Sequence, residues 1–188
     1  MVWFLRVTDK RPDAAIDQLI AAVAADARVT WNLNYEGQYP KTGFGITNLR
    51  ARDVTFTNQV SGLQGNVAGS AVWGVTAVTV STWTDWINIP IDDRCYQIVT
   101  GIFNRSSFPS ITHMRMRING EDQAQMCLEP LYTWDQPHAW LEKPYAVRPA
   151  ANHTVRLLTE RTIAGVPAEK IGLLGYTVGK RTFLIAES

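Results

Sequence analysis

Residues 96–122 read YQIVTGIFNRSSFPSITHMRMRINGED, and this stretch decides the fold class because it holds two strand patterns joined by a polar, proline-containing loop. In the second pattern apolar and polar residues alternate. The apolar residues are Met114, Met116 and Ile118, and the polar ones are His113, Arg115 and Arg117. A period of two is typical of a strand with one buried and one solvent-facing side. We therefore predict that Met114, Met116 and Ile118 are buried and that Arg115 and Arg117 are not.

The first strand pattern does not alternate. It is apolar nearly throughout, at Tyr96, Ile98, Val99, Ile102 and Phe103. Such a run is expected of an interior strand that is covered on both faces. After the second pattern, Asn119-Gly120 supplies a residue pair that readily takes positive φ, so we predict a tight turn at that point.

Further short strands are predicted on both sides of this stretch. They comprise residues 54–57, a valine-rich segment from 71 to 80, residues 86–90, 145–147 and 154–158, and a terminal hairpin of 171–178 and 182–185 around a turn at 179–181. Pro90 must end its strand or place it at a sheet edge, and Pro144 and Pro149 bracket the strand at 145–147. About eight short strands with regular turn signals predict a sandwich or jelly roll rather than alternating strands and helices. The predicted fold is all-β, a single jelly-roll β-sandwich or barrel with one N-terminal amphipathic helix.

The predicted helix lies between Pro12 and about Ala27. Its apolar residues follow a 3.6-residue spacing, at Ile16, Leu19, Ile20, Val23 and Ala27. Pro12 suits the first helical position, and the acidic residues that follow suit the positive end of the helix dipole. We predict that residues 13–26 form the only long helix, packed either on its own sheet or between subunits. Residues 1–29 then form an N-terminal arm and helix, and residues 30–188 a jelly-roll β-domain, within one compact domain.

The charge balance argues against a specific nucleic-acid partner. The 188 residues include 18 Lys plus Arg and 17 Asp plus Glu, so the chain has no strong field that attracts polyanions. Glycines at 62, 65, 69 and 74 match no nucleotide-binding motif. Cys95 and Cys127 are too few for a disulfide framework, so they form either two buried thiols or one disulfide. The N-terminal MVWFLRVTDK lacks the features of a signal peptide, and we expect synthesis in the host cytoplasm.

Motifs that carry catalysis are missing from the sequence. His113, His138 and His153 have no metal-ligand spacing, and Ser70 lacks the second glycine of a nucleophile elbow. The acidic pairs at 92–93 and 121–122 could meet at a calcium ion, although adjacent acidic residues in loops are more often simply solvated. We expect no catalytic residue, no cofactor and no metal site, and we do not expect an enzyme.

Aromatic residues mark two candidate interaction sites. Trp134 and Trp140 lie in YTWDQPHAWLEKPY at 132–145, which suits a subunit interface, the core, or a platform on which a sugar ring stacks. Trp3, Phe4 and Leu5 are consecutive, so they cannot all lie on one face of a strand. They either dock on a neighbouring subunit or join the core of their own chain. All five residues are predicted here as subunit-interface residues.

The C-terminal half resembles a known family. The segments are WINIPIDDRCYQIVTGIFN at 86–104, THMRMRINGED at 112–122, LEPLY at 128–132, PYAVRPAANHTVRLL at 144–158 and EKIGLLGYTVGKRTFLI at 169–185. In the order and rhythm of their strands, these segments resemble the small single-jelly-roll major capsid proteins of tailless icosahedral viruses of the sphaerolipovirus type. The resemblance covers residues 80–188.

This resemblance implies a structural role. It implies an upright β-barrel that assembles with copies of itself, or with a second capsid protein, into an icosahedral shell over an internal membrane surface and genome. The protein would then be located in the virion. The alternative is a carbohydrate-binding β-sandwich module of a virion fibre or cell-surface complex, and a third class is an enzyme on a β-sandwich scaffold.

Deleting residues 2–8 is predicted to weaken assembly more than folding. A Leu or Trp side chain that is fully buried against apolar partners contributes roughly 1.5–3 kcal/mol, and the loss of three such contacts is repeated in every copy of a particle. Light scattering should therefore show dispersed particles while the melting temperature changes little. Intact particles with a much lower melting temperature would place the arm in the core of its own subunit.

Overall fold

A computed structural model of the protein describes residues 11–31, 43–50, 53–54, 59–67, 71–77, 81–105, 109–118, 120–123, 125–129, 138–160 and 168–185, with the backbone alone for 59–67, 71–77 and 168–170. The described elements are helix α1 (Asp13–Thr30), strands β1 (Phe44–Asn48), β2 (Gln59–Val67), β3 (Ala71–Ala77), β4 (Thr84–Pro90), β5 (Cys95–Asn104), β6 (Ile111–Ile118), β7 (Glu121–Asp122), β8 (Met126–Cys127), β9 (His138–Val147), β10 (Asn152–Thr159) and β11 (Ala168–Lys180), and the short helix α2 (Arg181–Ile185).

The strands form two antiparallel sheets. The first sheet has the order β2-β3-β11-β5-β9, and β1 pairs with β11 beyond the end of β3. The second sheet has the order β4-β10-β6-β7, and β8 also pairs with β6. Buried residues from both sheets pack into one core, which includes Ile102 of the first sheet and Met114 of the second. The prediction of an all-β sandwich-like fold with one N-terminal helix is confirmed at this level.

Strand β5 lies in the interior of the first sheet, between β11 and β9, and all ten of its residues are buried. On one face Val99 and Ile102 belong to the core between the sheets. On the other face Tyr96 and Ile98 pack beneath helix α1. The prediction of an interior strand covered on both faces is confirmed, and the two coverings explain why the strand has no polar side.

Helix α1 extends one turn beyond the predicted residues 13–26, to Thr30. Its buried residues Ile16, Val23 and Ala27 belong to the predicted apolar stripe. Val23 and Ala27 pack on β5 and β11, so the partner of this helix is its own sheet. The hydroxyl of Tyr96 also joins strand to helix, because it donates to Asp26 Oδ2 at 3.0 Å.

Strand β6 has the predicted register. Met114 and Met116 are buried in the core, Arg117 is exposed, Arg115 is half-buried, and Ile118 is half-buried against the core. The predicted turn follows directly, since Ile118 pairs with Glu121 across a two-residue connection in which Gly120 has a φ of 87°. The two strand patterns of residues 96–122 therefore fall in different sheets.

Two strand predictions were wrong. The terminal hairpin is absent from the described C-terminal residues, because β11 continues to Lys180 and residues 181–185 form α2. The backbone of Lys180 donates to Arg94 O at 3.0 Å and that of Arg181 donates to Gly43 O at 2.8 Å, which holds this corner against its neighbours. Pro144 does not bound a strand either, since β9 runs through it. A proline is tolerated there because β9 is an edge strand.

Other strand predictions had mixed outcomes. Strand β4 ends at Pro90 and lies at the edge of its sheet, as predicted. Val54 is buried but lies outside any described strand, and residues 55–58 are outside the described residues. The valine-rich segment forms β3 over residues 71–77, and 78–80 are likewise outside the described residues.

Replacing Gly175 with alanine should strongly destabilise the protein. Gly175 sits where the β11–β5 register shifts, and a Cβ at this position would lie 1.9 Å from the carbonyl oxygen of Ile98. The backbone of Ile98 cannot move aside as a flexible side chain can. We therefore expect the free energy of unfolding to fall by about 1–3 kcal/mol or more, and urea denaturation measures this change. Gly43→Ala is the matched control, because its Cβ would make an ordinary 3.6 Å contact with the Arg181 side chain. Equal stabilities of the two variants would contradict the predicted close approach.

Candidate functional site

The solvent side of the second sheet carries three arginines. In β6 and β10 the inward side chains, such as Met116 and Val155, enter the core, so the alternate positions face outward. Arg115, Arg117 and Arg156 occupy those outward positions. We call this surface, formed by the outer faces of β4, β10 and β6, the arginine face.

The strand register arranges these side chains in two rows across the sheet. In one row Thr154 lies between Asn88 and Arg117, and Arg117 pairs with Asp122 on β7. In the other row Arg156 lies between Asp85 and Arg115. Each row therefore contains a carboxylate at one edge of the sheet, and the guanidinium groups lie between the two edges.

A pocket of about 240 Å³ opens on the arginine face. It is lined by Asn88, Arg115, Met116, Arg117, Gly120, Asp122, Asn152, Thr154 and Arg156. The three guanidinium groups share this lining with a single carboxylate, that of Asp122. Neutral amide and hydroxyl groups supply most of the remaining polar lining.

The three arginines differ in how they are held. Arg156 Nε lies 2.6 Å from Asp85 Oδ1. Arg117 Nε donates to Gly120 O at 2.9 Å and lies 3.7 Å from Asp122 Oδ1. The guanidinium of Arg115 instead lies over the ring of Trp83, 4.6 Å from its centroid. Among the described residues, Arg115 has no carboxylate within ion-pair distance, so it is the arginine best able to receive an external anion.

A second polar cluster lies inside the sandwich. His153 of β10 is fully buried, its Nε2 is 3.0 Å from the Tyr145 hydroxyl, and its Nδ1 is 3.0 Å from Gln97 Oε1. Gln97 donates through its amide nitrogen to the carbonyl of Asp53. The amide oxygen therefore accepts from Nδ1–H, and Nε2 accepts from the tyrosine hydroxyl. The histidine is neutral in this arrangement.

Burial shifts the acid–base behaviour of this cluster. The surrounding core lowers the pKa of His153 from its ordinary 6.5 to about 4 and raises the pKa of the Tyr145 hydroxyl above its ordinary value, in each case because the charged form loses its hydration. The cluster continues to Asp53, whose Oδ2 accepts from Thr177 Oγ1 at 2.6 Å and whose Oδ1 lies 3.2 Å from Arg50 Nη2. The hydrogen bonds of His153 therefore join β10 to strands of the first sheet within the interior of the sandwich. This is a structural role.

Most of the predicted interface residues lie outside the described residues: Trp3, Phe4, Leu5 and Trp134. Trp140 is described, and it is half-buried on edge strand β9. The guanidinium of Arg11 lies 5.4 Å from the centroid of its ring, and the ring of His138 meets it edge-on at 6.0 Å. The role of these five residues in an interface stays a prediction.

Asp92 and Asp93 of the first acidic pair, and Asp122 of the second, lie close to arginines. Asp92 Oδ2 lies 2.7 Å from Arg94 Nη2, and this guanidinium lowers the pKa of Asp92 to about 2. Asp122 faces Arg117. Within the described part of the chain, no group of three or more His, Cys, Asp or Glu side chains is placed to hold a metal ion.

The two cysteines are free thiols. Cys95 is buried as expected, and burial raises the pKa of its thiol to about 12, which keeps it protonated. Cys127 is exposed, so the expectation of a second buried thiol was wrong, and the alternative of one disulfide was wrong as well. The reason is that Cys127 lies in β8, where its neighbour Met126 takes the inward position.

The sequence analysis predicted neither the arginine face nor the His153 cluster, although the sequence contains a signal for each. Arg115 and Arg117 were predicted to face solvent, but their approach to Arg156 depends on the pairing of β6 with β10. His153 lies two residues before Val155 and four before Leu157, on the apolar side of a strand. That position signals a buried histidine, and only the packing of the sheets reveals its partners.

The stability of the protein should fall as the pH is lowered from 7 to 5, because of His153. Its folded-state pKa of about 4 is below the ordinary 6.5, so acid protonates the unfolded chain first. The contribution of His153 to the free energy of unfolding is fully present above pH 6.5 and is lost as the pH falls towards 4. At pH 5 the loss is about 2 kcal/mol. Urea denaturation at several pH values measures this slope.

The variant His153→Gln should be less stable at every pH but should lose that slope. His113→Gln is the control, since it leaves the buried histidine in place and should keep the slope. A wild-type stability that does not change between pH 7 and 5 would contradict the neutral buried histidine.

The chain was compared with protein-family models and with curated proteins. No family model matches it, and no curated protein matches it significantly. Among the described residues, no helix is both long enough and apolar enough to cross a membrane.

Proposed function

We propose that the chain folds as a single jelly roll and serves as a structural subunit of a viral capsid, where it assembles with copies of itself into an icosahedral shell. The observation that carries this proposal is the pairing pattern of the strands. The resemblance of residues 80–188 to small capsid proteins supports the same function.

The strand pairs are nested along the chain. From the outermost pair inward they are β3 with β11, β4 with β10, β5 with β9, and β6 with β8. Successive pairs fall alternately in the first and second sheets. This pattern arises when one long antiparallel ribbon folds over on itself. A jelly roll combines two Greek keys in two sheets, so the nested pairs that alternate between the sheets support the jelly-roll assignment.

A jelly roll by itself is compatible with several functions, among them capsid and lectin domains and cupins. The interior of this sandwich favours a structural role over an enzymatic one. Its centre is filled by large buried side chains, including Trp86, Met114 and Leu141. Two of the buried titratable residues, His153 and Tyr145, form a hydrogen bond with each other. Function is therefore expected on the outer surfaces.

The described surface offers apolar positions for subunit contacts. Among the residues whose burial is described, three large hydrophobic residues are exposed: Val29 at the end of α1, Ile46 on β1 and Ile185 at the end of α2. Among the described strands, β1 pairs only with β11, so it is an edge strand of the described sheet, and the Ile46 side chain is exposed on it. An edge strand with an exposed apolar residue favours association with another chain. The proposed partners are copies of this chain, a second capsid protein and an internal membrane surface, in the virion.

Sedimentation and negative-stain electron microscopy test this function. We expect the purified protein to form oligomers or shells rather than a 21.0 kDa monomer. Ile46→Lys should shift sedimentation towards smaller species, since lysine on an edge strand opposes pairing. Its stability should change by no more than about 0.5 kcal/mol, as for other surface substitutions.

Gln18→Lys adds the same charge on the exposed side of α1 and should leave assembly unchanged. A protein that stays monomeric at every concentration and salt would contradict the structural role. Dissociation by both lysine variants would contradict the role of β1.

A further inference from the structure

We infer that the pocket on the arginine face binds one unit of an acidic saccharide, with Arg115 binding its carboxylate and the neighbouring polar side chains binding its hydroxyl groups. This site is independent of the proposed assembly, since a monomer would carry it as well.

The arrangement of charge in the pocket calls for an anion. Arg115 and Arg156 are directly opposite each other on β6 and β10, and like charges in that position destabilise a sheet. Asp85 offsets Arg156 from the far side, at 2.6 Å. Arg115 is not offset by any described carboxylate. An anion in the pocket would relieve the repulsion between the two guanidinium groups.

The placement of Arg115 suits a carboxylate. Its guanidinium lies over the Trp83 ring, 4.6 Å from the centroid, and the half-buried side chain is thereby restrained. A guanidinium presents its N–H groups in a planar fork that matches the two oxygens of a carboxylate. Because part of the orientation is set before binding, less side-chain entropy is lost when the ligand arrives.

The positively charged region on the arginine face is too small to bind a long polyanion. Asp85 on β4 and Asp122 on β7 flank the arginines at opposite edges of the sheet. A nucleic-acid backbone requires a continuous basic track and would meet these carboxylates on either side. The positive region is therefore the size of one anionic group, which also disfavours a flat anionic membrane surface.

The rest of the lining suits hydroxyl groups. Asn88, Asn152 and Thr154 add neutral donors and acceptors to the pocket, and Thr154 Oγ1 already donates to Asn88 Oδ1 at 3.3 Å. Sugar hydroxyls both donate and accept, as these side chains do. The volume of about 240 Å³ is below the roughly 300–1,000 Å³ of pockets for drug-sized ligands, so a single sugar unit is the appropriate size.

The test compares the methyl glycosides of glucuronic acid and glucose, which differ in the carboxylate. Titration calorimetry and saturation-transfer NMR on the full chain should detect millimolar binding of the glucuronide and at least tenfold weaker binding of the glucoside. Arg115→Gln should weaken glucuronide binding roughly 10–100-fold, since it removes charge-assisted hydrogen bonds. Thr154→Val should weaken it by a smaller factor.

Arg105→Gln is the matched control. Arg105 also lies over an aromatic ring, that of Phe103, but it directly follows the last residue of β5 and does not line the pocket. This variant should bind the glucuronide as the wild type does. Melting curves for all variants check that they are folded, and Arg117→Gln replaces Arg115→Gln if the latter is unfolded.

Four results would overturn the assignment. Equal binding of the glucoside would remove the role of the carboxylate, and unchanged binding by Arg115→Gln would remove the role of the arginine. Inorganic sulfate that binds as tightly as the glucuronide would indicate a general anion site without sugar recognition. Tighter binding of a single-stranded oligonucleotide or of vesicles containing phosphatidylserine would indicate a different class of partner.

Discussion

The burial of β5 on both faces is the constraint on which the rest of the structure depends. Ten consecutive residues without an exposed side chain need a sheet partner on each edge and a covering layer on each face. Strands β11 and β9 occupy the edges, the second sheet covers one face, and helix α1 covers the other. Each covering layer is amphipathic because its opposite side meets solvent. The polar outer face of the second sheet follows from this arrangement.

The interior of the sandwich also contains a buried polar cluster, and this cluster sets requirements of its own. His153, Gln97 and Tyr145 come from three strands in two sheets, and their hydrogen bonds are directional. A buried polar group without a partner costs about 1–3 kcal/mol, so a shift of β10 by one residue would be disfavoured twice, by exposing the core face and by breaking this cluster. The cluster therefore helps to fix how the two sheets are aligned.

The arginine face is a consequence of pleating. Since alternate residues of β6 and β10 face outward, two strands that bury Met114, Met116, Val155 and Leu157 must present their intervening residues together. Arginine at those positions concentrates positive charge on a protein whose overall charge is nearly balanced. The carboxylates at the two edges confine that charge to one small region. A chain of formal net charge +1 thus carries a locally selective anion site.

Local patterns in the sequence determined the existence of β5, β6 and α1, and which of their residues are buried, because periods of 2 and 3.6 depend only on neighbouring residues. Tertiary structure decided which strands pair, since β3 pairs with β11 and β10 pairs with β4 and β6, and these partners are distant in sequence, so no local pattern encodes the pairs. The pairing of β10 with β6 brought Arg156 to Arg115, and the packing of the sheets brought His153 to Gln97. Residues 182–185 show the same limit. Their apolar run predicted a strand, but the backbone N–H of Lys180 donates to Arg94 O, β11 already has partners on both sides, and residues 181–185 form a short helix instead.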